Sequence, residues 1–309
     1  MKVNINQDTV HHIRRLDEFF KKNGFKSDAV SSYWKIFGEK SLISFKDDYT
    51  QANIFPDGFD DWRKDNLINK IKNIPIKNFI KKRLINQLPE TMFNAVKDVA
   101  KSQNRVVSFN CIKHALSIHS IERAGVKLNE KKIAVIGDGN GFMGLLIKRL
   151  FPDSKIVQIN LAKVLMFDLL FTSLSQKKNS SNVVLSSGDY TKDAAFNFIP
   201  AELIFDMNID DIDFFINTAS MQEMNINTVN SYFHFIRSQK VSKTFFYCCN
   251  RVSKKLPDGS MLVFDKYPWA STDKVIFDDI CPWYSEFPVS RPPFIHKFDG
   301  DHKHRLIEV

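Results

Sequence analysis

The sequence predicts an α/β protein, a mostly parallel, helix-covered sheet with an antiparallel edge strand behind a helical N-terminal region. Three observations predict it. Up to about Gly125 the apolar residues recur at three- and four-residue spacing, the period of a helix. From Lys131 onward short apolar runs alternate with helix-length segments, as strand–helix–strand units do. The first of those runs ends in a glycine cluster, in a chain with only 11 Gly among 309 residues. The expected division is 1–125, a helical cap or lid, and 126–309, the α/β domain.

The elements follow in chain order. Ile13, Leu16, Phe19 and Phe20 make one apolar helix face, and Phe79, Ile80, Leu84 and Leu88 another. Between them Phe37 to Trp62, with Gly38, Pro56 and Gly58, reads as loop and turn. Ser108 can cap a helix carrying Ile112, Ala115, Leu116 and Ile121, and Gly125 can stop it. Strands are expected at Ile133–Ile136, Ile156–Ile159, Val183–Leu185, Ile212–Ile216 and Phe245–Cys249, with helices near 142–152, 161–175 and 224–238. No long helix separates Met261–Phe264 from His302–Ile307, so these two runs are expected to pair antiparallel at one edge.

Composition narrows the function classes. Hydrophobic residues at 43% and charged residues at 26% suit a folded chain and exclude a disordered one. The net charge of +9 is lopsided: residues 1–130 hold 23 Lys and Arg against 15 Asp and Glu, the rest 21 against 20. A basic N-terminal region suits an anionic partner or, more simply, the solvated face of amphipathic helices, since blocks such as Lys81-Lys82-Arg83 are short. Cys111, Cys248, Cys249 and Cys281 have neither metal nor disulfide spacing. No signal-like segment opens the chain, and Asp168 interrupts the greasiest run, Val164 to Leu174, which is too short to span a bilayer. A cytoplasmic protein is expected.

The strongest local signal is Ile133-Ala-Val-Ile-Gly-Asp-Gly-Asn-Gly-Phe-Met-Gly144. Gly137, Gly139 and Gly141 let the backbone turn sharply and approach a ligand, and the following helix N-terminus favours an anionic or polar group. Gly139-x-Gly141-x-x-Gly144 also fits a dinucleotide fingerprint. Either ligand class wants an acidic residue ending the second strand for ribose hydroxyls, and Asn160 stands there.

Three segments resemble a known family: the loop Gly137–Gly144; Phe215-Ile-Asn-Thr-Ala-Ser-Met-Gln-Glu-Met224; and Phe246-Tyr-Cys-Cys-Asn-Arg251 with Lys255-Leu-Pro-Asp-Gly259 and Tyr267-Pro-Trp269. Over roughly residues 130–270 the chain resembles the sugar O-methyltransferases found with bacterial surface-polysaccharide genes. These belong to the class I, Rossmann-like methyltransferases that use S-adenosylmethionine (SAM). The resemblance implies methyl transfer from SAM to a hydroxyl of a sugar or glycan-linked acceptor, with residues 1–125 as a lid or acceptor-binding region. It departs from the family pattern at Val135, where an acidic residue is usual; Asp138 could take over part of that role.

The resemblance also implies site residues. Gly137, Asp138, Gly139, Asn140 and Gly141 would line the methionine and ribose part of SAM, with Asn160 at the ribose, Asp189 at the adenine amine, Tyr190 as a neighbouring wall and Asn217 beside the transferred methyl group. Glu223 is the candidate general base, with Gln222 orienting the acceptor. Ser220, Asn250, Arg251, Asp265, Tyr267 and His119 are the candidate acceptor contacts, Arg251 toward a carboxylate or phosphate. Tyr267 and Trp269 suit a core equally well, and His234 reads as a core or interface histidine. His302 and His304 share a strand face without a third ligand, so no metal is expected.

The competing classes are an NAD(P)-dependent oxidoreductase, which has only the glycine loop and no Tyr-x-x-x-Lys after the fourth strand; a nucleic-acid methyltransferase, for which Arg291-Pro-Pro-Phe294 comes too late in the chain; and a non-catalytic scaffold. The expected partners are a small-molecule or glycan acceptor and, at most, a second copy in a homodimer, with no nucleic acid and no membrane span.

Overall fold

The computed structural model describes residues 2–24, 30–38, 43–54, 74, 83–175, 181–288 and 295–309. Three short strands, β1 (Lys2–Asn4), β2 (Ile43–Phe45) and β3 (Gln51–Ile54), form an antiparallel sheet in the order β1-β3-β2. This corrects the expected loop over Phe37–Trp62. Ile43, Ala52 and Ile54 are buried with Val3 and Ile5, so a short hairpin closes over apolar surface where turn residues alone were read. Pro56, Gly58 and Trp62 lie outside the described residues, as do Phe79, Ile80, Lys81, Lys82 and the Arg291–Phe294 segment.

The N-terminal helices are α1 (Gln7–Asn23), α2 (Ser32–Gly38), α3 (Glu90–Ser102) and α4 (Phe109–Arg123). The Asn6 side chain accepts from Thr9 N at 2.8 Å and starts α1, which buries Ile13 and Leu16 completely. The Ser108 hydroxyl likewise caps α4 on Cys111 N, and the helix gives way after Ala124. Leu84 and Leu88 are buried, but they flank a short 3₁₀ turn, Ile85–Gln87.

Eight strands make the central sheet: β4 (Lys132–Ile136), β5 (Lys155–Asn160), β6 (Ser181–Val183), β7 (Phe196–Pro200), β8 (Phe214–Thr218), β9 (Phe245–Arg251), then β12 (Lys274–Ile280) and β15 (His302–Glu308). Two hairpins stand apart from it, β10 (Ser253–Lys255) with β11 (Met261–Val263) and β13 (Glu286–Pro288) with β14 (Ile295–Lys297). Helices α5 (Phe142–Leu150), α6 (Ala162–Ser175) and α7 (Ile226–Arg237) complete the domain.

The sheet order is β12-β15-β9-β8-β4-β5-β7-β6, with every strand from β9 to β6 parallel and β15 antiparallel to both of its neighbours. The fold is therefore the expected doubly wound α/β type. Strands buried on both faces read as continuous apolar runs. In β4, Ile133 and Val135 join the core on one face while Ala134 and Ile136 join the core on the other. The first core runs unbroken from Ile13 of α1 through α3 and α4 to Ile133, so the N-terminal helices share the core of the sheet.

Two expectations about the strands are corrected. Met261–Phe264 does not pair with His302–Ile307; the turn at Pro257-Asp258-Gly259 folds it back on β10, and β12 becomes the neighbour of β15. The antiparallel strand is thus inside the sheet and not at its edge. Strand β7 was not anticipated. It inserts between β5 and β6, which turns residues 184–195 into a crossover leading back toward the amino end of the sheet.

From β4 the chain moves outward to β5 on one side, and returns later as β8 on the other. This switch point opens a crevice at the carboxyl ends of the strands, where open α/β sheets bind ligands.

Candidate functional site

The crevice holds a cavity of about 460 Å³, within the range of small-molecule sites. Its floor is the loop that follows β4. Gly137 has φ +76°, and a Cβ there would stand 2.0 Å from Ser220 Oγ, so only glycine lets this loop pass the loop after β8. Gly141 (φ +66°) is the N-cap of α5, and its Cβ would meet the Asp168 carbonyl at 2.8 Å. Gly137, Asp138, Gly139 and Asn140 line the cavity; Gly141 is packed beneath it against α6.

Asp168 holds this loop from below. It is fully buried, and its carboxylate accepts from Gly141 N and from Asn160 Nδ2, both at 2.9 Å. Burial and the nearby Asp138 charge push its carboxyl up, while the Asn160 amide and backbone N–H donors pull it back. In the sequence this lone acid in an apolar run argues against a membrane span; the structure shows that it also holds the glycine loop. Asn160 itself lines the cavity at the end of β5, beside an apolar wall of Ile159, Leu161, Val164 and Ala201.

Asp138 lines the cavity, but its carboxylate is engaged by the start of α5 and by Gln158. Its two oxygens accept from Met143 N (3.0 Å) and Gly144 N (2.8 Å) at the start of α5, and from Gln158 Nε2 (2.9 Å). It serves as an N-terminal cap of that helix, so only its backbone remains available to a ligand. Asn140 Oδ1 accepts from Phe142 N, and its carbonyl accepts from Gln103 Nε2 on the segment after α3.

Across the cavity lies the loop after β8. Ala219 carries φ +57°, a conformation that costs a non-glycine residue about 1–3 kcal/mol and that tends to concentrate at functional sites. Thr218, Ala219, Ser220, Gln222 and Glu223 line this wall. The Glu223 carboxylate pairs with Lys254 Nζ at 2.8 Å, and its backbone carbonyl accepts from the Ser31 hydroxyl. Burial raises the Glu223 carboxyl above the usual glutamate range, against the opposing pull of Lys254 and Arg251. Gln222 Oε1 accepts from Arg251 N at 2.8 Å, so its side chain clamps the end of β9 to this loop.

Several predicted contacts are structural. Asn217 and Asn250 are fully buried outside the cavity lining. Asn217 Nδ2 donates to Ile136 O (2.9 Å), its Oδ1 accepts from Asn250 Nδ2 (2.8 Å), and Asn250 Oδ1 accepts from Gln222 N (3.0 Å). This network ties together the ends of β4, β8 and β9 behind the site. Asp189 is held by Arg15 at 2.9 Å, and Tyr190 donates to Asp211 at 2.9 Å near Lys132, at the amino end of β4. Both lie outside the cavity because the unanticipated β7 makes their segment a return crossover. Asp265 pairs with Lys303 (2.7 Å) and Arg305 (3.1 Å), and Tyr267 is packed against Phe233, Phe264 and Trp269; neither lines the site.

Helix α4 lines the crevice through Asn110, Lys113 and His114, the face opposite to His119. These three stand at i, i+3 and i+4, a spacing on one helix face that the sequence shows. His234 lies away from the cavity, on the far part of α7, facing a separate groove lined by Phe205 and Asp210. Also unforeseen are Ser31, Tyr33 and Trp34 at the start of α2, Lys254 on β10, and Tyr284, Phe298 and His302. His302 sits opposite Arg251 in the β15–β9 register, so the reversed strand brings it to the carboxyl end of the sheet. Among the described residues no group of three or more His, Cys, Asp or Glu could hold a metal ion, and no helix is long and apolar enough to cross a membrane.

No protein-family model and no curated protein matches this chain. It is similar to solved structures that include a pyocyanin biosynthetic protein (10% identity over 62% of this chain and 54% of that one, TM-score 0.37). A SAM-dependent methyltransferase from Aquifex aeolicus shares 11% identity over 62% of this chain and 89% of its own, with TM-score 0.34. A structure concerned with converting a disulfide bond into a thioacetal group during echinomycin biosynthesis shares 12% identity over 62% and 80%, with TM-score 0.42. The match spans little more than half of the first of these chains.

Proposed function

We propose that this protein is a SAM-dependent O-methyltransferase that methylates a hydroxyl of a sugar or glycan-linked acceptor, in surface-polysaccharide biosynthesis. The single observation that carries the reading is the shape of the crevice. A glycine loop turns out of β4 and lines the cavity, and a half-buried carboxylate faces it from the loop after β8.

The residues suit the cofactor. The Gly137–Asn140 backbone suits the methionine and ribose portion, Asn160 a ribose hydroxyl, and the Ile159–Leu161–Val164–Ala201 wall the adenine ring. Bound SAM supplies an electrophilic methyl group on a sulfonium. The protein's own contribution is alignment, worth roughly 7–11 kcal/mol in favourable systems, and removal of the hydroxyl proton. Glu223 is the base: its carboxylate oxygen accepts that proton, and Lys254 holds the carboxylate in its ionised, correctly placed form. Trp34 gives the acceptor half an aromatic ring against which a sugar can pack, beside Tyr33, Tyr284 and Phe298, over which Lys254, Lys113 and Arg251 lie.

The test is a radiolabelled-methyl transfer assay with SAM and a panel of sugars, sugar phosphates, nucleotide sugars and uronic acids. Label in an alkali-stable sugar ether supports the reading. Label in protein or nucleic acid, or in no acceptor, opposes it.

A further inference from the structure

The cations lining the cavity outnumber its carboxylates. The charged side chains lining the cavity are Lys113, Arg251 and Lys254 against Asp138 and Glu223. Asp138 is occupied by the α5 N-terminus and Gln158, and Glu223 by Lys254. Lys113 Nζ donates to the Glu286 carbonyl at 2.7 Å, a neutral acceptor. Among the described residues no carboxylate pairs with Arg251, and its Nε is buried without a hydrogen-bond partner. Its backbone is fixed by Gln222, and its guanidinium lies over the Phe298 ring at 5.0 Å from the centroid. A half-buried guanidinium that lines the cavity with one donor unused is a group that an oxyanion can complete. Bound SAM, with one carboxylate against an ammonium and a sulfonium, adds a further positive charge.

We infer that the acceptor is an anionic sugar, whose phosphate or carboxylate seats on the Arg251 guanidinium beside Lys254 while its hydroxyl faces Glu223. The inference rests on the methyltransferase reading and narrows it to one substrate class. The planar fork of arginine matches either oxyanion through two parallel N–H donors, and the Phe298 face keeps it oriented. His302 lies beside it, with burial and the surrounding Arg251, Lys113 and Lys254 charges holding its pKa at about 3. The neutral imidazole adds no competing charge, and the positive field that adds to burial in suppressing its protonation is one an oxyanion would relieve.

The test is calorimetric titration of the full chain, saturated with S-adenosylhomocysteine (SAH), with glucose, glucose 1-phosphate and glucuronate. At least one charged sugar binds about tenfold or more tighter than glucose, and the two separate a phosphate from a carboxylate site. Arg251→Gln removes that advantage and leaves SAH affinity within about twofold, while Arg251→Lys recovers only part of it. Equal affinity for all three sugars, no measurable binding of either charged sugar at millimolar concentration, or charged-sugar binding that survives Arg251→Gln overturns the inference. Loss of SAH binding in that variant assigns the guanidinium to the cofactor carboxylate and overturns it too. A wild-type protein that does not bind SAH is a different result, which removes the methyltransferase reading itself.

Discussion

Replacing Glu223 with Gln separates its two roles, as proton acceptor and as partner of Lys254. A general base contributes typically 10²–10⁴-fold, so loss of the carboxylate should lower kcat by about 3–5 kcal/mol of barrier. The same change leaves Lys254 facing a neutral amide. The two side chains are 15% and 18% exposed, so the loss in stability should fall below the roughly 3–5 kcal/mol seen for fully buried pairs. The double variant Glu223→Gln/Lys254→Met removes both charges together and should recover most of the stability without recovering the rate. Thermal unfolding and single-turnover methyl transfer on the four corners of that cycle measure both effects. The pH profile adds a third readout. The base works ionised, so the wild-type rate rises with pH through a Glu223 pKa that burial holds above the usual glutamate range, and Glu223→Gln lacks that acidic limb. If Glu223→Gln keeps the wild-type rate and pH profile, or if the double variant regains the rate, the carboxylate is a structural partner of Lys254 and the base assignment is wrong.

Two further outcomes follow from the same geometry. Gly137→Ala places a methyl group 2.0 Å from Ser220 Oγ and should weaken SAH binding by at least about tenfold; adding Ser220→Gly should restore part of it, leaving the positive-φ strain, as titration of the three variants would show. His302 and His304 are 2% and 6% exposed, and burial lowers their pKa values to about 3 and about 4. The unfolded chain therefore binds protons that the folded chain refuses, and stability falls as pH drops from about 6.5 toward 4, by up to about 1.4 kcal/mol per pH unit for each histidine. Replacing both with Gln should flatten that slope in chemical denaturation; an unchanged slope would show that other groups carry it.

Much of this architecture is legible in the sequence, and the failures have physical causes. Strand β4, the glycine loop and α5 are visible because three levels agree there: a β-branched apolar run, glycines at alternate positions, and a helical period afterwards. Strand β7 was missed because Phe196-Asn-Phe-Ile-Pro200 is short, carries a buried Asn and ends in proline. The cost was Asp189 and Tyr190, assigned to a ligand on the assumption that their loop sits at the carboxyl end of the sheet.

Within the site, Glu223, Gln222, Ser220, Asn160 and Arg251 meet because the ends of neighbouring parallel strands must meet. Asn217 and Asn250 stand on the same strand ends, but their amides are consumed in holding those ends together. Only the three-dimensional course of the cavity, which reaches the first group and not the second, separates them. Lys113, Tyr33 and His302 arrive from distant parts of the chain and could not be placed beside Glu223 by any local pattern.

The most direct test of the central claim is parallel calorimetric titration of the protein with SAM, SAH and NAD(H). The account predicts micromolar binding of the two adenosyl compounds, at about −8 kcal/mol, lost on replacing Gly139 with a bulky residue, and no binding of NAD(H). Binding of NAD(H) alone, or of none of the three, would contradict it.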